Sequence, residues 1–264
     1  MNNSPESTFF HHIVPLVREV VKRGGNQPAI VVTKEIEGDY ATETDIAVEN
    51  CIVEELAKAF PDDMIMAEEG HAAADIPEGR IWIIDPICGT NNLGRGLSSF
   101  CTNIALADGG TVVASCVIDH AGGDYFWSVG DNTVYVNDSP LDPHARDDRP
   151  DICIDIDLGA LPNTDGQRRD SQYAAARRLT DVPGYLLISL NSSLGFAYAA
   201  VGKIDGFINA YNHPWDIAAA SFLVQQSGGI ITDLSGNTWS LTSVGAIGAR
   251  TEQVHRSLLE AYLN

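Results

Sequence analysis

Apolar positions recur along the chain with two different rhythms, and the points where the rhythm changes mark its elements. Phe10, Ile13, Val14, Val17, Val20 and Val21 recur at spacings of three and four, which predicts an amphipathic helix from Ser7 to the Gly24-Gly25 stop. A second helix is predicted from Thr44 or Asp45, where a cap-type side chain precedes Ile46, Val48, Cys51, Ile52 and Leu56, and Pro61 closes it. Ile81-Trp82-Ile83-Ile84 is a continuous apolar run, the pattern of a strand buried on both faces. Asp85 stands where that strand leaves the core, and Pro86 is expected to end its ladder because it lacks a backbone donor. Residues 102–107 and 112–118 read as strands joined by a Gly109-Gly110 turn, and 125–128 and 133–136 continue the β-rich stretch.

The segment 137–150, rich in proline and aspartate, is the expected boundary between two regions. Beyond it the pattern predicts a strand at 152–156, a helix at 171–179, a strand at 185–190 and a helix at 194–201. A short strand at 207–210, a helix at 218–226 stopped by Gly228-Gly229, and a final strand at 230–233 complete the series.

Charge narrows the choice of partners. A net charge of −20 argues against nucleic acid and anionic membrane surfaces, and an anionic ligand would need metal ions or local basic groups to approach. No apolar run approaches the ~20 residues of a membrane span. The five cysteines are odd in number and contain no CxxC pair, which favours reduced thiols and a cytoplasmic setting. The seven histidines show no ligand spacing for a separate zinc site.

Carboxylates carry the candidate chemistry. Asp85 leaves a buried strand on a turn that Gly89 makes sharp, with Thr90 and Asn91 following. Glu68 and Glu69 follow another short apolar run, Met64-Ile65-Met66-Ala67. By themselves these residues read first as a strand, a turn and a solvated acidic loop, with a metal or phosphate site as the alternative. Asp45 reads equally as a helix cap and as part of a site, Lys34 as a surface lysine or a phosphate contact, and Trp215 as packing that holds Asp216 at a helix start.

Four segments in this order, Asp39 to Asp45, Glu68-Glu69-Gly70, Asp85-Pro86-Ile87-Cys88-Gly89-Thr90 and Trp215-Asp216-Ile217-Ala218-Ala219, resemble the motifs of the inositol monophosphatase family of metal-dependent phosphatases. The likeness covers nearly the whole chain. It implies a layered αβαβα sandwich of the α/β (α+β) class. An N-terminal α+β domain (1–140) would carry the Glu-Glu and Asp-Pro-Ile-Cys-Gly-Thr motifs, and a C-terminal α/β domain (150–264) the Trp-Asp motif. It also implies hydrolysis of a small polyol, sugar or nucleotide phosphate with Mg²⁺, in a homodimer.

By the same resemblance Glu68, Asp85 and the Ile87 carbonyl would hold a first metal, with Thr90 and Glu68 orienting or activating water. Asp85 and Asp216 would hold a second. Glu69, Asp45 and Lys34 are second-tier candidates. Gly89, Thr90, Asn191, Asn209 and His213 would face the substrate, His213 reading also as a polar loop residue. Asn209 stands where inositol-specific members carry a glutamate, so inositol phosphate is not the favoured ligand.

One position departs from the motif. Cys88 stands where the family places a second metal-binding aspartate. A thiol is soft and Mg²⁺ prefers oxygen, so the second metal position should be weakened. Three readings stay open: a phosphatase with fewer metals or with Zn²⁺ or Mn²⁺, an enzyme of another class using Cys88 as nucleophile or acid/base, and a non-catalytic ligand-binding protein.

Overall fold

The computed structural model describes residues 4–25, 27–33, 40–70, 78–142, 149–158 and 166–264. The chain opens with α1 (Pro5–Gly24), the short hairpin β1 (Ile30–Thr33) and β2 (Tyr40–Thr42), and α2 (Glu43–Ala59). β3 (Met64–Ala67), β4 (Arg80–Cys88), the short α3 (Thr90–Gly94), β5 (Cys101–Asp108), β6 (Thr111–Asp119), β7 (Tyr125–Ser128), β8 (Tyr135–Val136) and β9 (Ser139–Pro140) follow. These seven strands form one sheet in sequence order, β3 parallel to β4 and each later neighbour antiparallel.

Then come β10 (Ile152–Ile156), α4 (Gly166–Thr180), β11 (Tyr185–Ile188), α5 (Leu194–Val201), β12 (Gly206–Asn209), α6 (Pro214–Gln226), β13 (Ile230–Thr232), β14 (Ala246–Ala249) and α7 (Glu252–Leu263). The second sheet has the order β11-β10-β12-β14-β13.

Side-chain alternation along the strands sorts the core into three clusters and so into five layers. In β4, Trp82 and Ile84 point to the outer cluster with Phe9, Phe10 and Ile13 of α1 and Ile52 and Leu56 of α2. Ile81 and Ile83 point the other way, against Phe196 of α5 and Ile217 and Phe222 of α6. Phe207 of β12 meets that middle cluster from the second sheet, whereas its neighbour Ile208 joins Ala175 and Leu179 of α4 and Leu258 of α7 on the far side. The order is therefore helices, sheet, helices, sheet, helices, the αβαβα sandwich expected from the sequence.

Three expectations need correction. Pro86 does not end its strand. The register runs from Asp85 opposite Asn103 to Cys88 opposite Cys101, so β4 carries one extra residue, and the missing Pro86 donor falls in that bulge. The Pro86 carbonyl instead accepts from Thr102 Oγ1 at 2.6 Å. Residues 230–233 are not the last strand, because β14 inserts between β12 and β13. Its Ala246-Ile247-Gly248-Ala249 has little β-branched character, and Gly248 is kept bare by the Phe207 ring lying against it. α6 begins at Pro214 rather than Ala218, with proline in the first turn, where a missing N–H costs nothing.

Asp155, at the end of β10, is almost fully buried and accepts from the Leu190 N–H at 3.0 Å. α5 passes so close that a Cβ on Gly195 would run into its carboxylate. Burial pushes this carboxyl up to about 7.

Two outcomes are expected. Trp82, which donates from Nε1 to Asp63 and packs against Phe9, Phe10 and Phe60, should cost about 3–5 kcal/mol on replacement by alanine, read by denaturant unfolding. For Asp155 the folded state binds the proton more tightly than the unfolded chain, so its contribution to stability falls as pH rises from 3.8 to about 7. Asp155→Asn cannot ionise and should lose less stability than the native chain between about pH 4 and about pH 7 in the same measurement.

Candidate active site

A cleft of about 150 Å³ opens where β4 ends, lined by Glu68, Asp85, Ile87, Cys88, Gly89, Thr90, Asn91, Asn191 and Asp216. Four chain segments meet there, and each is held by a local device. β3 runs parallel to β4, and the Glu68 N–H donates to the Ile84 carbonyl at 3.2 Å, which sets Glu68 beside the β4 terminus. The next amide, Glu69 N–H, donates to buried Glu49 of α2 at 2.7 Å.

Gly89 then turns the chain with φ 98°, and a Cβ there would lie 2.8 Å from the Ser99 carbonyl, so the turn admits glycine alone. Thr90 Oγ1 lies 2.7 Å from Asp45 Oδ1 and 2.9 Å from the Ile87 carbonyl, its single proton serving one of them at a time. Asp45 is itself buried and closes the cap of α2 by accepting from the Thr42 N–H at 3.0 Å, so its cap and its link to the site coexist. Burial raises its carboxyl, opposed by hydrogen bonds from Thr42 and Thr90.

The other wall comes from the second half of the chain. Asp216 sits in the first turn of α6 and accepts from the His213 N–H at 2.6 Å, while the Trp215 ring stacks on His213 at 4.5 Å. Asn103 of β5 donates to Ser193 Oγ at 2.7 Å and to the Asp216 carbonyl at 3.2 Å, fixing the starts of α5 and α6 against the first sheet. Asn92 Nδ2 reaches the carbonyls of Ser99 at 2.6 Å and Leu190 at 2.8 Å, tying the β4 turn to the loop that presents Asn191.

The electrostatics are adverse without a cation. Asp85 is 1% exposed and its Oδ1 has no hydrogen-bond partner among the described residues. Burial first, and then Cys88, Glu68 and Asp216, push its carboxyl well above the ordinary carboxylate range. Asp85, Cys88 and Asp216 each offer a ligand atom, all within 4.8 Å of one another. An orphaned buried oxygen among converging carboxylates fits a divalent cation, and the oxygen donors suit a hard ion. The sulfur suits a softer one. Cys88 is half-buried and accepts from the Ser193 N–H at 3.1 Å. The adjacent Cys101 thiol and burial push its own thiol well above its ordinary value.

The fold thus brings together eight of the residues read from the sequence: Glu68, Asp85, Ile87, Cys88, Gly89, Thr90, Asn191 and Asp216. Asn209 and His213 do not line this cleft. Asn209 is buried at the end of β12, with Oδ1 accepting from Tyr211 N–H and Asn212 Nδ2 and its own Nδ2 3.4 Å from Asp157. His213 is an exposed cap residue of α6. Lys34, Asp39, His71 and His144 lie outside the described residues. Sequence reading missed Glu49, Asn92, Asn103 and Ser193. The signal available was a polar side chain at an otherwise apolar position, as with Asn103 in Cys101-Thr102-Asn103-Ile104.

Comparisons with known proteins bear on the family and the fold. An "Inositol-1-monophosphatase" of Mesorhizobium japonicum is 30% identical over 226 residues, 85% of this chain and 83% of that one. A "Nus factor SuhB" of Pasteurella multocida is 28% identical over 221 residues, 84% of this chain and 81% of that one. The solved IMPase of Thermotoga maritima superposes with a TM-score of 0.84 at 26% identity, covering 97% of this chain and 95% of its own. A sequence profile described as "Inositol monophosphatase family" matches residues 8–263, and the chain belongs to that family.

Proposed function

We propose that this chain is a metal-dependent phosphomonoester hydrolase acting on a small polyol, sugar or nucleotide phosphate. The observation that carries the reading is Asp85 Oδ1, buried and without a partner between Glu68 and Asp216, a position that a divalent cation would complete. Glu68, Asp85 and the Ile87 carbonyl would hold one Mg²⁺, and Asp85, Asp216 and Cys88 a second and weaker one. Divalent cations held there supply neutralisation of phosphoryl oxygens and a water of lowered pKa.

The chain's own residues do the rest. Thr90, with its proton given to Asp45, turns a lone pair toward the cleft and can accept from an attacking water. Glu68, on the same wall, can take that water's second proton. Asn103 holds the starts of α5 and α6 at the cleft through the Ser193 hydroxyl and the Asp216 carbonyl, which keeps Asp216 in position. Gly89 leaves the backbone bare where a phosphate would approach. A substrate hydroxyl would meet Asn191, whose φ of 52° turns the loop at the cleft edge.

Cys88 favours a second reading, a family member turned to another reaction or to binding alone, because a protonated thiol replaces a charged ligand. Phosphate release from a panel of polyol, sugar and nucleotide phosphates, with Mg²⁺ and with chelator, separates the two; no release from any ester sinks the hydrolase reading. Asp85→Asn should lower Mg²⁺-supported release by at least about 100-fold and remove the rise in melting temperature that Mg²⁺ gives the native chain. Cys88→Asp should raise Mg²⁺-supported release by about tenfold or more and lower the Mg²⁺ concentration needed. A fall in release instead assigns the thiol a positive role and favours the second reading.

A further inference from the structure

We propose that Cys88 and Cys101 form a reversible dithiol–disulfide couple whose oxidation withdraws a side chain from the candidate site and switches it off. The two residues are direct partners across the antiparallel β4–β5 pair. Opposed residues of such a pair stand about 4.5–5.5 Å apart at Cα, inside the span a disulfide bridges. Ser193 touches both, its N–H donating to Cys88 Sγ at 3.1 Å and its hydroxyl lying 3.4 Å from Cys101 Sγ.

Access differs in the way a redox pair needs. Cys88 lines the cleft, whereas Cys101 is fully buried behind it. The remaining cysteines, Cys51 on α2, Cys116 on β6 and Cys153 on β10, face no cysteine across a strand. All five are free thiols in this structure.

The oxidant is a peroxide small enough for the cleft. Cys88 sulfur attacks one peroxide oxygen, the O–O bond breaks, and the products are Cys88 sulfenic acid and water. Cys101 sulfur then attacks Cys88 sulfur, the S–O bond breaks, and a second water leaves with the Cys101 proton. Two thiols lose two electrons and one peroxide gains them. The oxidised sulfur is directed at β5 and no longer available beside Asp85 and Asp216. The effect on turnover rests on the phosphatase reading; the linkage does not.

The test uses the full chain, stripped of metal and treated with hydrogen peroxide. Remaining thiols are blocked, the protein is digested without reductant, and the peptides are weighed. A peptide containing Cys88 joined to one containing Cys101, lighter by two hydrogens and separated again by dithiothreitol, is the expected result. Mg²⁺-supported phosphate release should fall by about tenfold or more on oxidation and return on reduction. Cys101→Ala should leave a Cys88 sulfenic acid that dimedone traps, and the native peptide map decides the linkage should that variant not fold. Oxidised Cys88 with Cys101 unlinked, or Cys88 joined to another cysteine, overturns the proposal. A full Cys88–Cys101 disulfide with unchanged release overturns the switch. The linked peptide in a chain that hydrolyses no ester even when reduced supports the couple and overturns the phosphatase reading instead.

Discussion

Three carboxylates far apart in the chain converge on one small cleft, and that crowding is the constraint on which the rest of the arrangement depends. Glu68 follows β3, Asp85 ends the apolar run of β4, and Asp216 opens α6. Left to themselves these groups would repel, and the burial of Asp85 makes the repulsion worse. What overrides it is the packing behind them. Trp82 and Ile84 on one face of β4 and Ile81 and Ile83 on the other are embedded in two separate hydrophobic clusters, so the strand end cannot retreat. The site holds an unfavourable charge arrangement that the core stabilises.

The polar side chains around the cleft serve the same purpose from the other direction. Asn103, Asn92 and Ser193 do not add charge. Asn92 donates to the Ser99 and Leu190 carbonyls, Asn103 to the Ser193 hydroxyl and the Asp216 carbonyl, and the Ser193 N–H to Cys88 sulfur, which aligns the helix starts and the 190–193 loop with the end of the first sheet. Glu49 does similar work behind Glu69. Removing any of these would disturb position before it disturbed chemistry.

Much of this was legible in the sequence, for physical reasons that differ by element. β4 was readable because a strand buried on both faces has to be apolar throughout, and Ile81 to Ile84 is. α1 and α5 matched their patterns closely because their ends are marked by glycine. β14 was not readable, since it has little β-branched character and its Gly248 is set by the Phe207 ring rather than by strand propensity. Pro86 misled because a bulge can absorb a missing donor, and nothing local announces a bulge. In the site, motif residues gathered as expected, but Asn209 did not. Its amide is instead engaged by Tyr211 and Asn212 at the buried end of β12, contacts that no local pattern announces.

The middle layer has a consequence for how the protein can be taken apart. α5 and α6 are coded after β10, yet they cover the inner face of the first sheet as well as the second. A polypeptide ending after β9 would therefore leave Ile81, Ile83 and Val117 of that sheet facing water, an apolar surface prone to self-association. The two sheets are separate in hydrogen bonding but joined in cooperativity. Neither half is therefore suited to life as a free-standing fragment.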